Sequence, residues 1–385
     1  MRDRWSVIIT YALAGAANQM LWLTFTPLTT PAAHHYGVSV SDIGWLSEIF
    51  PLLYVVLALP AATLLDRWFR PCLAAGAVLT AVGGVLRLGG DSFAWALAGQ
   101  VLIAVAQPLI LNAVTGLATA YLTVDARPVG ITIGSAGIFL GMLFSLALGS
   151  ALGGPHLHLL LVISAIYGVV ACTSLLLSLA FMERPAFNGD VTGVTGLTTV
   201  WRDQYIRRLA AAAFIGFGLF VALTTWLQAL LKPSGIHAST AGWMLVAGVV
   251  AGVVGTATVA PVVIRAHADR KLFAVAGVGT CGAFLLCGLW KWTPALTFAV
   301  CVAGFLLLAC LPVMLELSER RAGPAGISAT ALIWLAGNAG GIVLALVVQV
   351  VSHHPLIAFL LLAAAAAGVL AIVRGFPAAQ VPSPT

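Results

Sequence analysis

Charges that lie inside long apolar runs are the first candidates for chemistry, because each costs several kcal/mol in hydrocarbon, about 2.5–3.5 for an Asp, and needs a reason to persist. One acid stands clearly within such a run. Glu48 lies about two turns in from Asp42, in Trp45-Leu46-Ser47-Glu48-Ile49-Phe50-Pro51. A carboxyl there either takes up and releases a proton or pairs with a cationic substrate, or it snorkels to the outer interface or is held protonated by hydrogen bonds between helices. Polar and aromatic residues at mid-run form a second set: Asn18, Gln19 and Trp22, then Gln107 and Asn112, then Trp226 and Gln228, then Trp334 and Asn338. Asn18 and Trp22 are four apart and share a helix face. Opposite Gln107 they would offer amides and one ring to a small polar or cationic solute. The alternative is that Asn and Gln bond neighbouring helices and Trp packs. All eight histidines fall near run ends or in connections, and neither His34-His35 nor His156-x-His158 brings the remaining ligands of a metal site. The six cysteines have no CxxC spacing and read as small core residues. No cofactor is expected. No HExxH, GxSxG or GxxxxGK[ST] pattern is present, so the sequence does not read as an enzyme or as an ATP-driven pump.

The elements that must carry these residues are membrane helices. Hydrophobic residues make up 61% of the 385 and charged ones 8%, where a soluble domain carries about 25%. Apolar runs bounded by charges or turn residues fall at 6–28, 42–65, 71–89, 92–119, 129–152 and 157–182. After a more polar stretch come 209–231, 240–264, 272–290, 294–316, 326–351 and 355–373. The fold class expected is therefore an all-α integral membrane protein of about twelve transmembrane helices in two six-helix halves. The halves are 1–182 and 209–374, joined by a cytoplasmic linker 183–208 and followed by a tail 375–385. With a cytoplasmic N-terminus, 15 of the 18 Lys and Arg residues fall on the inner side, and only Arg87, Lys232 and Lys291 on the outer. The positive-inside rule then puts both termini in the cytoplasm of a cell (inner) membrane. The formal charge of +6 is explained by this topology, and no basic run interleaved with aromatics points to nucleic acid. The partners expected are a small-molecule substrate and the lipid bilayer, with the chain itself monomeric.

The halves resemble each other. Leu65-Asp66-Arg67-Trp68-Phe69-Arg70 follows the second run and Ala268-Asp269-Arg270-Lys271 the eighth. Two parallel halves with a recurring Asp-Arg turn resemble the major facilitator superfamily, and the first turn is similar to its G-x-L-a-D-R-x-G-R-R signature, with Ala62 and Phe69 where glycines are usual. The resemblance implies secondary transport by alternating access, with Asp66, Arg67, Arg70, Asp269 and Arg270 at a gate. A surface ion pair that only sets topology is the other reading. Shorter stretches are similar to the haem and choline transporters related to the feline leukaemia virus subgroup C receptor: Arg4-Trp5 with Asn18 and Trp22, Asp42-Ile43-Gly44-Trp45-Leu46-Ser47, Gly99-Gln100 to Gln107, Leu311-Pro312-Val313 with Glu316, and Gly326-Ile327-Ser328. That likeness implies Trp22 as one wall of an aromatic box around a quaternary ammonium, with Gln107 lining the same cavity. The tyrosine that closes the box falls at Val221, beside Phe220, and an Asn-Gln pair falls at Ile138-Phe139. A choline-like solute is thus one expectation. A proton-coupled exporter using Glu48 is another, and a non-transporting receptor or intramembrane enzyme is the alternative of a different class.

Overall fold

The computed structural model describes residues 3–152, 156–181 and 193–375. Residues 183–192 of the linker and 376–385 of the tail lie outside the described residues. Fourteen α-helices run in order: α1 Trp5–Trp22, α2 Thr29–Tyr36, α3 Val40–Leu86, α4 Phe93–Leu111, α5 Ala113–Tyr121, α6 Arg127–Leu152, α7 Leu157–Phe181, α8 Gly193–Arg202, α9 Gln204–Leu231, α10 Ala238–Arg265, α11 Asp269–Leu289, α12 Thr293–Ala322, α13 Gly326–Val351 and α14 Pro355–Arg374. The described residues contain no strand. Ten stretches are long and apolar enough to cross a bilayer, and two of them, Asp42–Leu86 and Thr293–Val351, are 45 and 59 residues long. At about 20 residues per crossing each of these two crosses twice, so the chain makes twelve passes.

The breaks that divide the long stretches are local. In α3 the helix turns at Trp68, whose φ of −136° and ψ of 56° leave the helical region just before Pro71. The expected loop at 66–70 is therefore a kink, with the Arg67 guanidinium 4.5 Å over the Trp68 ring. Between α12 and α13 a short 3-10 turn at Gly323–Ala325 does the same, opening on a Gly323 φ of 55°. The run expected at 6–28 is α-helical only to Trp22 and continues as a 3-10 helix over Leu23–Leu28, where Pro27 removes a backbone donor.

Close helix approach holds the bundle together. A Cβ on Gly141 of α6 would stand 2.1 Å from the Ala16 oxygen of α1, and one on Gly340 of α13 1.9 Å from the Phe214 oxygen of α9. Without a hydrophobic driving force between helices in lipid, such small-residue contacts supply the dispersion that packs them. One apolar core runs across both halves, from Leu65, Leu117 and Ile131 to Leu315 and Ile327, toward the face where α1 begins, α14 ends and most of the described arginines lie. Toward the opposite end the core divides: Phe25, Leu46 and Leu160 belong to one cluster of the first half, Leu227, Phe284 and Leu296 to another of the second. The halves are joined at the Arg-rich face and separate beyond it.

Candidate functional site

The first half holds its polar residues in a hydrogen-bonded frame. Asn18 is fully buried, and its Nδ2 donates to Thr80 Oγ1 and to the Ile103 oxygen, each at 3.2 Å, while Gln19 Nε2 donates to its Oδ1. Asn18 thus ties α1 to α3 and α4. One turn on, the Trp22 ring stacks on Phe50 with centroids 5.7 Å apart, and its Nε1 donates to the Ser47 oxygen at 2.8 Å. Trp22 keeps 8% of its surface exposed.

Arg87, expected as an outer-loop charge, is 1% exposed inside the first half. Its Nη1 donates to the Leu21 oxygen at 3.2 Å and to Gln100 Oε1 at 3.4 Å, and Gln100 Nε2 donates in turn to the oxygens of Leu46 at 3.0 Å and Trp22 at 3.4 Å. Leu21 and Trp22 are the last two residues of α1, where the change to a 3-10 helix takes their carbonyls off the α-helical ladder, and Thr24 Oγ1 also donates to the Leu21 oxygen at 3.2 Å. In hydrocarbon no water can serve them. Arg87 and Gln100 therefore cap α1 where it becomes 3-10, and the guanidinium meets the negative end of the helix dipole in place of a carboxylate. A charge at the end of an apolar run reads as a boundary, and only the fold shows which helix it serves.

Deeper in, the two halves meet ring to ring. Tyr54 of α3 and Trp334 of α13 stand 6.4 Å apart, and Phe217 of α9 is edge-on to Trp334 at 5.7 Å and 6.1 Å from Phe220. Tyr54 donates to Asn112 Oδ1, whose amide donates to the Ala58 oxygen at 3.0 Å. Tyr54 lies four residues past Phe50 and seven past Ser47 on one helix, so this floor is roughly 6–10 Å nearer the Arg-rich face than the Trp22 wall. By the same register Gln107, one turn from Ile103, lies toward the floor, and Trp22, one turn from Asn18, away from it. The wall and the amide are two levels of one passage. Gln107 is 2% exposed and its Oε1 has no hydrogen-bond partner, nor has the Trp334 Nε1. Phe220 lines an apolar cavity with Phe139, Phe217 and Trp334. Asn338 donates to the Trp334 oxygen of its own helix at 2.9 Å, and Gln228 is exposed near the far end of α9. Glu48 is exposed and makes no hydrogen bond or ion pair among the described residues. At 100° per residue it is a quarter turn from Ser47, on the side shared with Trp45 and Leu52.

Below the floor the halves are latched. Ser328 Oγ of α13 donates to Asp66 Oδ2 at 3.2 Å, Thr115 and Thr330 share a hydrogen bond of 2.6 Å, and Thr119 Oγ1 donates to Glu319 Oε1 at 2.8 Å, with Arg127 Nη1 3.8 Å from that oxygen. Glu316 is buried and paired with Arg320. Asp269 is half-buried at the start of α11, Arg67 and Arg270 are exposed, and Arg70 is half-buried. Sequence reading passed over Arg87, Gln100, Tyr54 and the pairing of Glu319. One signal for the latch was available: Pro128-Val129-Gly130-Ile131-Thr132 and Pro324-Ala325-Gly326-Ile327-Ser328 repeat at the starts of α6 and α13.

Comparison with known proteins bears on the fold and the family. Over 92% of its length the chain is 28% identical to solute carrier family 49 member A3 of Danio rerio, covering 80% of that protein. Over 60% it is 23% identical to the human choline/ethanolamine transporter FLVCR2, of which it covers 48%. Its fold matches FucP in the outward conformation with a TM-score of 0.75 at 17% identity, covering 96% of this chain and 99% of that one. The human organic anion transporter MFSD10 matches equally well, at 0.75 and 17% over 97% and 100%. These structural likenesses show the fold. The family model described as Major Facilitator Superfamily matches residues 7–345, and the chain belongs to that superfamily of membrane transporters.

Proposed function

We propose that the chain moves a small organic solute with an ammonium or hydroxyl head, of the choline and ethanolamine kind, across the cytoplasmic membrane by alternating access. The observation that carries the reading is the pairing of an aromatic wall, Trp22 on Phe50, with a lower floor where Tyr54 meets Trp334, above halves latched at one face only. On this reading the Arg-rich face and both termini are cytoplasmic, and the state described opens outward. Residues 1–182 and 209–374 are the two moving halves, 183–208 links them, and 375–385 is a tail. Rings suit a cation through their negative faces. The free Oε1 of Gln107 accepts a hydrogen bond from an ammonium or hydroxyl. Phe220 and Phe217 complete the apolar side of the passage. Asn18 supports the wall through α3 and α4 and does not touch the solute, while Gln228 and Asn338 stand at its margins. Asp66, Arg67 and Arg70, with Asp269 and Arg270 in the second half, form the gate that must release before the inner side opens. The names of relatives that carry choline and ethanolamine support the solute class.

Glu48 supports a second element, coupling to protons or cations, because a carboxyl within a span and without a protein partner is free to respond to either. Uptake of labelled choline and ethanolamine into proteoliposomes tests the whole reading. Trp22→Ala is expected to weaken half-saturation at least tenfold, and unchanged affinity removes the ring from the site. Glu48→Gln is expected to flatten the dependence of uptake on pH between 5 and 8. An unaltered profile leaves Glu48 without a coupling role. Transport of an unrelated solute, with neither amine moved, overturns the substrate class and keeps the transport mechanism.

A further inference from the structure

Where α8 turns into α9 the chain builds a concave basic site that transport does not use. The cavity is lined by Arg202, Asp203, Gln204, Tyr205, Arg208 and Arg321 and closed by Gly375 at the end of α14. Its one carboxylate is already spent. Asp203 Oδ2 accepts from Arg321 Nε at 2.8 Å, and Oδ1 accepts from the backbone N–H groups of Tyr205 and Ile206 at 2.8 and 3.3 Å. Three guanidiniums thus share one satisfied acid, leaving two positive charges over. Arg208 lies flat against the end of α14: a Cβ on Gly375 would come within 2.6 Å of its Cζ and 2.8 Å of Nη2. A side chain there would push the guanidinium aside. Planar guanidinium forks match the paired oxygens of a phosphate better than any other anion-binding side chain.

We propose that this cavity seats the phosphate of an anionic phospholipid from the leaflet at the Arg-rich face, held by Arg202, Arg208 and Arg321. The position selects a lipid over a soluble anion. Trp201, the residue before Arg202 on α8, is exposed, and tryptophan exposed at a bundle end marks the headgroup level. A face this rich in arginine also concentrates anionic lipid beside the opening. Because the lining comes from the α8–α9 corner, α12 and the end of α14, a seated headgroup fastens the linker to the second half.

The test uses the full chain in nanodiscs of phosphatidylcholine with increasing phosphatidylglycerol, reading retained lipid by native mass spectrometry and melting temperature by intrinsic fluorescence. Wild type and Arg265→Gln, which removes an exposed arginine outside the cavity, are expected to prefer phosphatidylglycerol at least tenfold. The double substitution Arg202→Gln, Arg208→Gln is expected to lose that preference. The single substitutions Arg208→Gln, which removes that guanidinium, and Gly375→Val, which pushes it aside with every charge kept, are each expected to weaken the preference even if the double variant fails to fold. An undiminished preference in Arg208→Gln overturns the site. Inorganic phosphate in pure phosphatidylcholine discs is expected to leave the melting temperature unchanged; a shift equal to that from phosphatidylglycerol would assign the cavity to a soluble anion and overturn the lipid.

Discussion

Along α4 and its C-cap the residues at 100, 107 and 112 are Gln, Gln and Asn. With Pro108 set on Pro312, the corresponding positions of α12 are Gly304, Leu311 and Glu316. The two halves repeat a backbone and not a chemistry. In the first, amides cross-link the helices: Asn18 to α3 and α4, Gln100 to α1 and α3, Asn112 to α3. In the second, Thr256 Oγ1 of α10 donates to the Leu308 oxygen of α12 at 3.0 Å, and the rest of that contact is close approach, a Cβ on Gly304 standing 2.1 Å from the Gly248 oxygen, of the kind Gly141 makes in the first half without replacing its amides. Hydrogen bonds fix one register, whereas glycine contacts allow helices to slide with small loss. The comparison teaches that the first half is the frame, and that the second, with its apolar cavity around Phe217 and Trp334, is the part able to repack.

The sharpest way to break this contrast is to damage each half by its own bond. Gln100→Leu removes the side-chain donor that reaches the oxygens of Trp22 and Leu46 across helices and strips Arg87 of a partner. At about 1.5–3 kcal/mol for a buried hydrogen bond to a charged group, a loss of about 2 kcal/mol is expected in a denaturation series of the purified protein. Gly304→Ala forces α10 from α12 and is expected to cost about 2 kcal/mol by overpacking. The contrast fails if Gln100→Leu is neutral, since the amides would then be incidental to the frame. It is sharpened if Gly304→Ala also slows solute exchange while Gln100→Leu spares the rate in the fraction that remains folded.

Much of this was legible in composition. Twelve passes follow from apolar runs of the right length, and the two-half plan follows from the recurrence of Asp66-Arg67 and Asp269-Arg270. Trp22 and Gln107 stand out as types that hydrocarbon does not favour. What did not show is which helix each polar group serves. Asn18 and Trp22 share a face, yet one bonds neighbouring helices within its half and the other stacks on Phe50, because α1 is wedged between different neighbours at successive turns. Arg87 read as an outer loop charge because its partners, two carbonyls, carry no charge and leave no mark in a sequence. The Tyr54–Trp334 floor joins residues 280 positions apart, beyond the reach of any local pattern.

A second comparison lies between the two Asp-Arg turns. Asp66 is buried and accepts from Ser328 across the halves, while Thr132, which occupies the place of Ser328 in the repeat, donates to the Pro128 oxygen of its own helix at 2.8 Å. Asp269 accepts no hydrogen bond among the described residues, and Glu319 makes the second latch instead, with Thr119 and Arg127. Asp66→Asn is therefore expected to shift the balance of the two states by about tenfold, or about 1.4 kcal/mol, measured by the distance between spin labels on the outer ends of the halves. Asp269→Asn is expected to change it by less than half as much in free energy. Equal shifts in the two variants would mean that the gate is symmetric and that the state described conceals a matching bond in the second half.

The smallest effect concerns the linker corner, which separates the two halves in sequence and touches the second in space. Burial alone would raise the Asp203 carboxyl, but the Arg321 guanidinium and the N–H groups of Ile206 and Tyr205 outweigh it and hold its pKa below the usual range. Its pKa is lower folded than unfolded, so the bond contributes stability above the unfolded value, near pH 4, and loses it as pH falls through the folded one. Acid below about pH 4 should release α8 from α12 before the buried Asp66 latch gives way, and amide exchange of α8 and the start of α9 would rise first. Asp203→Asn should show that exchange at neutral pH, with the distance between the outer ends unaltered. If instead α8 and the Asp66 turn loosen together at every pH, the linker is part of the frame, and the division between a rigid first half and a repacking second half must be redrawn to include it.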